Sequence, residues 1–297
     1  MTFALAMITD RLAFVAADRL YSGVGSLKGF AGTKIARLET ADGQGLITYA
    51  GAGARADRKP FEVSEWIEGV LRGFNRTLNQ SLHEIAAAAE EQGLDKHAPG
   101  HTFAYAGFVN GKAHVAVVTS RDQLRMRGKG GRPVNSTGPN RFRVVDFELE
   151  PRIHNFGVAL GSGAEHMPPS AELEMIGRQA RRANTKEAAA DRLSAQFVRL
   201  NRGISKKEPA TVGPEAVCAW TFAQGGGAHF AYDADGRRTN NTGVLPSVAR
   251  GMPMTQFVDS LMALMETKGA PTDAGWASQE ELDQLARSID NRPRRKF

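Results

Sequence analysis

The sequence predicts an α+β protein, two antiparallel sheets packed face to face between helical layers in a four-layer αββα sandwich. Three observations carry this expectation. Strand-like and helix-periodic segments come in runs (strands, two helices, strands, two helices, strands, helix), not in the alternation of a parallel βαβ fold. The first two strand-like runs, residues 3–8 and 12–17, are apolar on both faces, so a sheet containing them must be covered on both sides. A chain of 297 residues that is 41% apolar can bury a core of that size. The expected domain spans residues 1–265 with a basic, glycine-rich insertion near 121–141. Residues 266–297 read as a polar C-terminal extension with a basic, disordered end.

The elements follow in order. Residues 3–8 and 12–17 flank the polar corner Thr9-Asp10-Arg11, the pattern of a β-hairpin. With the corner centred on Asp10, opposed residue numbers add to 20, which sets the Thr2 hydroxyl opposite the Asp18 carboxylate. Residues 21–33 hold four glycines and read as a loop. A short strand over 34–38 and a turn at 41–45 lead into a strand over 46–50 that stops at Gly51-Ala52-Gly53. Ser64 is placed to cap a helix with Trp66, Ile67, Val70, Leu71, Phe74 and Leu78 on one face, and a second helix covers 82–92. Asn110-Gly111 between the apolar runs 102–109 and 113–119 signals a hairpin. The segment 121–141 reads as a long turn, followed by strands at 142–147 and 155–160 and then Gly161-Ser162-Gly163. Helices are expected at 170–182 and from Asn184 or Thr185 to Asn201, with Gly203 as the stop. A hairpin over 216–222 and 228–232, a helix over 254–265 and a short helix over 278–288 complete the chain.

Composition excludes several function classes. The net charge of +6 is concentrated in Arg292, Arg294, Arg295 and Lys296 and in Arg121, Arg125, Arg127, Lys129, Arg132, Arg141 and Arg143. Neither group has interleaved aromatics, so both read as solvated loop and tail, and nucleic acid is not an expected partner. No apolar stretch approaches the roughly 20 residues that span a bilayer, and no signal-peptide pattern opens the chain; no membrane partner and a cytoplasmic location are expected. The single cysteine, Cys218, excludes an intramolecular disulfide and reads as a buried strand residue. His97 and His101 have the helical spacing of metal ligands, but Pro99 between them makes them a loop pair, and no metal or cofactor is expected.

What remains is a set of spaced polar residues and glycines: Thr2, Asp18 after Val15-Ala16-Ala17, Lys34, Leu27-Lys28-Gly29, Tyr49-Ala50-Gly51-Ala52-Gly53 and Gly161-Ser162-Gly163. This pattern resembles the proteasome β-subunit family, including the bacterial HslV-type peptidase. It is most specific over the first 53 residues and continues in element order to about Ala263. The resemblance implies an N-terminal nucleophile (Ntn) hydrolase with proteasome-like threonine peptidase activity. Thr2, freed by removal of Met1, would be the nucleophile and its own amine the base. Such an amine has an intrinsic pKa of roughly 7.7–8.0, so much of it is unprotonated near neutrality. Lys34 would depress the amine's pKa and favour the attacking oxygen, and Asp18 would hold Lys34 charged. Gly51 would supply an oxyanion N–H, and Ser162 would support the amine. Tyr21, Gly32, Ala36, Tyr49 and Gly53 would line the substrate site. The implied partners are a peptide or protein substrate, further copies of the chain in a ring, and an ATP-driven unfoldase.

The chain departs from that family at Phe3 and at Thr211-Val212-Gly213-Pro214-Glu215-Ala216, where members place an Asp near the amine. Two other functions stay open. One is an Ntn amidohydrolase acting on a small amide; the other is an inactive structural or binding ring that keeps Met1.

Overall fold

A computed structural model of the chain describes residues 2–9, 12–21, 32–51, 54–55, 61–97, 100–120, 126–128, 131–137, 141–149, 155–167, 170–239, 245–268 and 278–290. Strands β1 (Ala4–Thr9) and β2 (Ala13–Asp18) form the expected hairpin. Its register differs from the expectation by one: opposed residues add to 21, as in Ala4 with Ala17 and Ile8 with Ala13. The cause is a tighter turn, in which Thr9 N donates to Leu12 O at 2.9 Å and leaves two residues between the paired ends. Asp18 N donates to Phe3 O at 2.9 Å, so Phe3 rather than Thr2 lies directly opposite Asp18.

Strands β3 (Ile35–Glu39) and β4 (Gly43–Ala50) follow, then the short ribbon β5 (Ala54–Arg55) and β6 (Phe61–Glu62). Helix α1 (Val63–Leu71) ends before Phe74, whose side chain stands 64% exposed. Ser64 lies within α1 and its Oγ donates to Thr33 O at 2.9 Å. Helix α2 (Leu78–Glu91) begins earlier than expected because Thr77 and Gln80 form a reciprocal capping box. The apolar face attributed to one helix is thus divided between two. A short α3 (Leu94–His97) precedes the hairpin of β7 (Thr102–Val109) and β8 (Lys112–Thr119), which turns on Asn110 and Gly111.

The basic segment expected as a long turn contains two strands, β9 (Met126–Gly128) and β10 (Gly131–Thr137). Each takes an outermost position, β9 beside β12 (Asn155–Leu160) and β10 beside β11 (Arg143–Leu149). Edge strands need backbone pairing and tolerate charge, so neither carries the apolar signal of an inner strand. Helix α4 (Ser170–Arg181) is followed by α5 (Lys186–Lys207), capped by Thr185. α5 passes through Gly203, the expected stop, because Ile204 and Ser205 beyond it are buried. The chain closes with β13 (Ala216–Thr221), β14 (Gly227–Tyr232), β15 (Arg238–Thr239), β16 (Ser247–Ala249), β17 (Met252–Pro253), α6 (Met254–Lys268) and α7 (Gln279–Asp290).

One sheet has the order β15-β14-β13-β2-β1-β12-β9 and the other β10-β11-β8-β7-β4-β3-β16-β17. The second is mixed rather than purely antiparallel, since β16 runs parallel to β3. Three apolar clusters organise the core. Ala4, Ala6, Ile8 and Val15 of the first sheet meet Ile35, Leu46, Ala104 and Val117 of the second. The other face of the second sheet packs Ile47, Phe103 and Tyr105 on Trp66, Leu82 and Ile85 of α1 and α2. The other face of the first sheet packs Leu5, Met7 and Phe14 on Leu193 and Phe197 of α5. Alternate residues of β1 therefore serve different clusters, which is why the strand has no polar face. Cys218 lies buried in β13, and burial pushes its thiol pKa up.

Candidate active site

The hairpin carries Thr2 and Asp18 to one end of the first sheet, and Lys34 reaches them from the residue just before β3. All three are buried: Thr2 is 2% exposed, Asp18 0% and Lys34 3%. The Thr2 hydroxyl donates to Asp18 Oδ1. Lys34 Nζ donates to Thr2 Oγ1 at 2.5 Å, to Asp18 Oδ1 at 2.9 Å and to Leu20 O at 2.7 Å. The shifted register does not separate Thr2 from Asp18, because the carboxylate also accepts from Phe3 N at 2.9 Å and so faces the chain start. Its other oxygen accepts from Leu20 N at 3.0 Å and Gly213 N at 3.2 Å. Four donors besides the Thr2 hydroxyl therefore hold one carboxylate in place. Burial lowers the Lys34 pKa from its ordinary value, and the adjacent Asp18 charge and hydrogen bond oppose that fall.

Gly161 and Gly163 bracket Ser162 and press against Thr2. Gly161 has φ +83°, and a Cβ there would lie 1.9 Å from Thr2 O, so the close approach requires glycine. Gly163 N donates to the same oxygen at 3.3 Å. Ser162 Oγ lies 3.0 Å from Thr211 Oγ1, which is 3.4 Å from Glu208 Oε2, and His166 Nε2 lies 3.2 Å from Glu208 Oε1. Glu208 caps the C-terminus of α5, and its carbonyl accepts from Thr211 N and Val212 N. Asn201 Nδ2 ties the next turn down by donating to Gly213 O at 2.9 Å and, more distantly, to Pro214 O and Glu215 O. The stretch that lacks an Asp thus meets the site through Gly213 N and Thr211. Sequence reading missed Thr211, Glu208, His166 and Asn201, and no local spacing marks them.

Gly51 follows the last residue of β4 with φ +135°, a conformation that favours glycine. A Cβ there would stand 2.3 Å from Nδ1 of His101. His101 is 0% exposed, its ring lies nearly parallel to that of Tyr49 at 6.1 Å between centroids, and Phe103 lies 4.7 Å away. Burial lowers its pKa to about 3, so the ring is neutral near neutral pH. Both ring nitrogens are without a hydrogen-bond partner among the described residues. The side chain of His97, read from the sequence as its loop partner, lies outside the described residues.

Of the residues expected at the substrate site, the Tyr21 ring is 3% exposed and fills the place a Cβ of Gly32 would take. Lys34 Nζ is 5.8 Å from the centroid of that ring. Ala36 and Tyr49 are buried in the cluster between the second sheet and α1 and α2. Gly53 lies outside the described residues. The arrangement supplies a hydroxyl in contact with an amine and a carboxylate in a buried setting, the components of an activated nucleophile.

No protein-family model matches the chain, and no curated protein does. Among solved structures it is similar to Anbu from Hyphomicrobium sp. strain MC1. A Gly-1 mutant of that protein is 11% identical with a TM-score of 0.46, and a second crystal form is 12% identical with a TM-score of 0.42. Anbu from Yersinia bercovieri, described as an ancestral β-subunit, is 10% identical with a TM-score of 0.41. Each comparison covers 92% of this chain and 100% of the other. These neighbours correct the family read from the sequence: the solved structures it is similar to are Anbu proteins, a family distinct from the proteasome β-subunits and the HslV-type peptidase.

Proposed function

We propose that this chain is a threonine-type N-terminal nucleophile hydrolase that cleaves peptide bonds, with Thr2 as nucleophile once Met1 is removed. The observation that carries the reading is the buried contact of Thr2 Oγ1 with both Lys34 Nζ, at 2.5 Å, and Asp18. The three apolar clusters support the matching architecture, helices over both outer faces of two packed sheets in four αββα layers.

The chemistry runs on the chain's own groups. The freed Thr2 amine takes the hydroxyl proton as Oγ1 attacks the substrate carbonyl, and Lys34 stabilises the charge developing on that oxygen. Burial disfavours the lysine's proton and Asp18 retains it, so the ammonium depends on its partner. Gly51, with no side chain and a constrained φ, offers its N–H to the carbonyl oxygen as it becomes negative. The amine then gives its proton to the leaving nitrogen, which leaves an acyl ester on Thr2 for water to hydrolyse.

Two measurements test this. Intact mass and peptide mapping after exposure to a peptide vinyl sulfone are expected to show loss of Met1 and one adduct on Thr2. A panel of fluorogenic peptide amides and small N-acyl amides is expected to be turned over on the peptide members. The Thr2→Ala variant is expected to lose that turnover. Retention of Met1, or turnover by Thr2→Ala at the parent rate, overturns the reading; cleavage of the small amides alone replaces peptide by small amide as the substrate class.

A further inference from the structure

The polar chain behind Ser162 has a direction, and the direction has a consequence. It runs from Ser162 Oγ to Thr211 Oγ1 at 3.0 Å, on to Glu208 Oε2 at 3.4 Å, and ends where His166 Nε2 meets Glu208 Oε1 at 3.2 Å. A carboxylate accepts hydrogen bonds and does not donate them, and a hydroxyl has one proton to give. Thr211 therefore spends its proton on Glu208. Ser162, facing an oxygen whose proton is committed, spends its own on Thr211. What Ser162 Oγ still presents is lone pairs, so towards any further neighbour it is an acceptor.

We propose that Glu208 and Thr211 are positioning residues that act through Ser162 on the Thr2 amine, a role that rests on the reading of Thr2 given above. Gly163 N donates to Thr2 O at 3.3 Å and a Cβ at Gly161 would lie 1.9 Å from the same oxygen, so the turn that carries Ser162 packs on the chain start. An acceptor there engages an N–H of the amine and leaves the nitrogen lone pair free for the hydroxyl proton. A donor in the same place would occupy that lone pair and silence the base. The chain lacks an Asp between Thr211 and Ala216, and the carboxylate is supplied instead from the C-cap of α5, one hydroxyl further away. His166, in the 3₁₀ turn Ser162–His166, occupies the second oxygen of Glu208 and holds the carboxylate in line.

The test uses the full chain and needs no known substrate. The rate at which a peptide vinyl sulfone modifies Thr2 is followed against pH for the parent, Thr211→Val, Thr211→Ser, Ser162→Ala and the double variant Ser162→Ala/Thr211→Val. An acceptor favours the protonated amine, so its loss lowers the amine's apparent pKa. Thr211→Val is expected to slow labelling roughly ten- to a hundredfold and to move the acid limb to lower pH. Thr211→Ser is expected to restore both. The double variant is expected to react no more slowly than Ser162→Ala alone, because both changes cut one chain. Unchanged rate and acid limb in Thr211→Val, or full additivity in the double variant, overturns the proposal. Absence of any Thr2 adduct in the parent instead overturns the nucleophile assignment, a separate outcome.

Discussion

Lys34 is the residue on which the site's electrostatics turn. Burial lowers its pKa from the ordinary value near 10.5, and Asp18 is the group that opposes the fall. Because the shift is downward, Lys34 loses its proton at a lower pH than an exposed lysine, and activity should decline on the alkaline side before the ordinary lysine range. Asp18→Asn removes the opposing charge, so that alkaline limb should move to still lower pH while kcat falls roughly 10²–10⁴-fold. A pH profile of Thr2 labelling reads both effects, and an unmoved limb would show that Asp18 does not set the lysine's charge. Gly51 makes a second prediction at this scale. A Cβ there meets His101 Nδ1 at 2.3 Å, so Gly51→Ala must shift the backbone N–H and should cost roughly 10²–10³-fold in rate. Thr2 and Asp18 were legible as a pair from the hairpin pattern, whereas Lys34, Gly51 and Ser162 became candidates only through the family resemblance. His101 was legible only as a histidine near Pro99, since its place against Gly51 comes from strand pairing beyond Ala50 and Thr102.

The loop after α5 does at the level of elements what Lys34 does at the level of side chains. Asn201 is fully buried and ties the turn 213–215 to the helix, while Gly213 N holds Asp18 Oδ2. Asn201→Ala strands the buried Gly213 carbonyl and should destabilise the protein by about 1–3 kcal/mol. The same change should slow Thr2 labelling by loosening Asp18; normal labelling at a temperature where the variant is folded would separate loop from site. Gly203, two residues further on, has nothing within 4 Å of where a Cβ would lie. Gly203→Ala should therefore stabilise α5 by roughly 0.5–1 kcal/mol, seen as a higher Tm. The same residue explains a failed expectation: glycine marks a helix end by propensity, but burial of Ile204 and Ser205 outweighs about 1 kcal/mol of propensity. Most inner strands were legible because apolar runs are their signal; β16, between β3 and β17, was not, because three residues are too short to carry a pattern. The edge strands β9 and β10 were not, because an edge is recognised by what it pairs with.

Across the whole molecule, Glu68 of α1 joins segments far apart in sequence. Its Oε1 accepts from Ser247 N at 2.7 Å, Thr255 Oγ1 at 2.7 Å and Thr255 N at 3.3 Å, tying α1 to β16 and to the start of α6. Burial raises its pKa above the ordinary carboxylate value of 4.5. A raised pKa means the folded state binds the proton more tightly, so this contribution is full below pH 4.5 and is lost as pH rises through the folded value. Glu68→Gln should flatten the dependence of Tm on pH across that interval, and an unchanged slope would remove Glu68 as its source. Near the same junction Phe74, Met252, Val258 and Met262 stand exposed. Self-association would cover them; light scattering should then find an oligomer, and a stable monomer would exclude the ring that the family resemblance implied. No helix among the described residues is long and apolar enough to cross a membrane. The sequence pattern alone was enough to identify two apolar hairpin strands, covered on both faces, and to bring Thr2 near Asp18, because a hairpin is a local property of the chain. Lys34 and the glycine turns joined them only through the family resemblance. The pattern could not place Glu208 behind Thr211, His101 over Gly51 or β10 beside β11. Those neighbours are set by how separate strands and helices pack, and packing depends on which faces are buried together, not on distance along the chain.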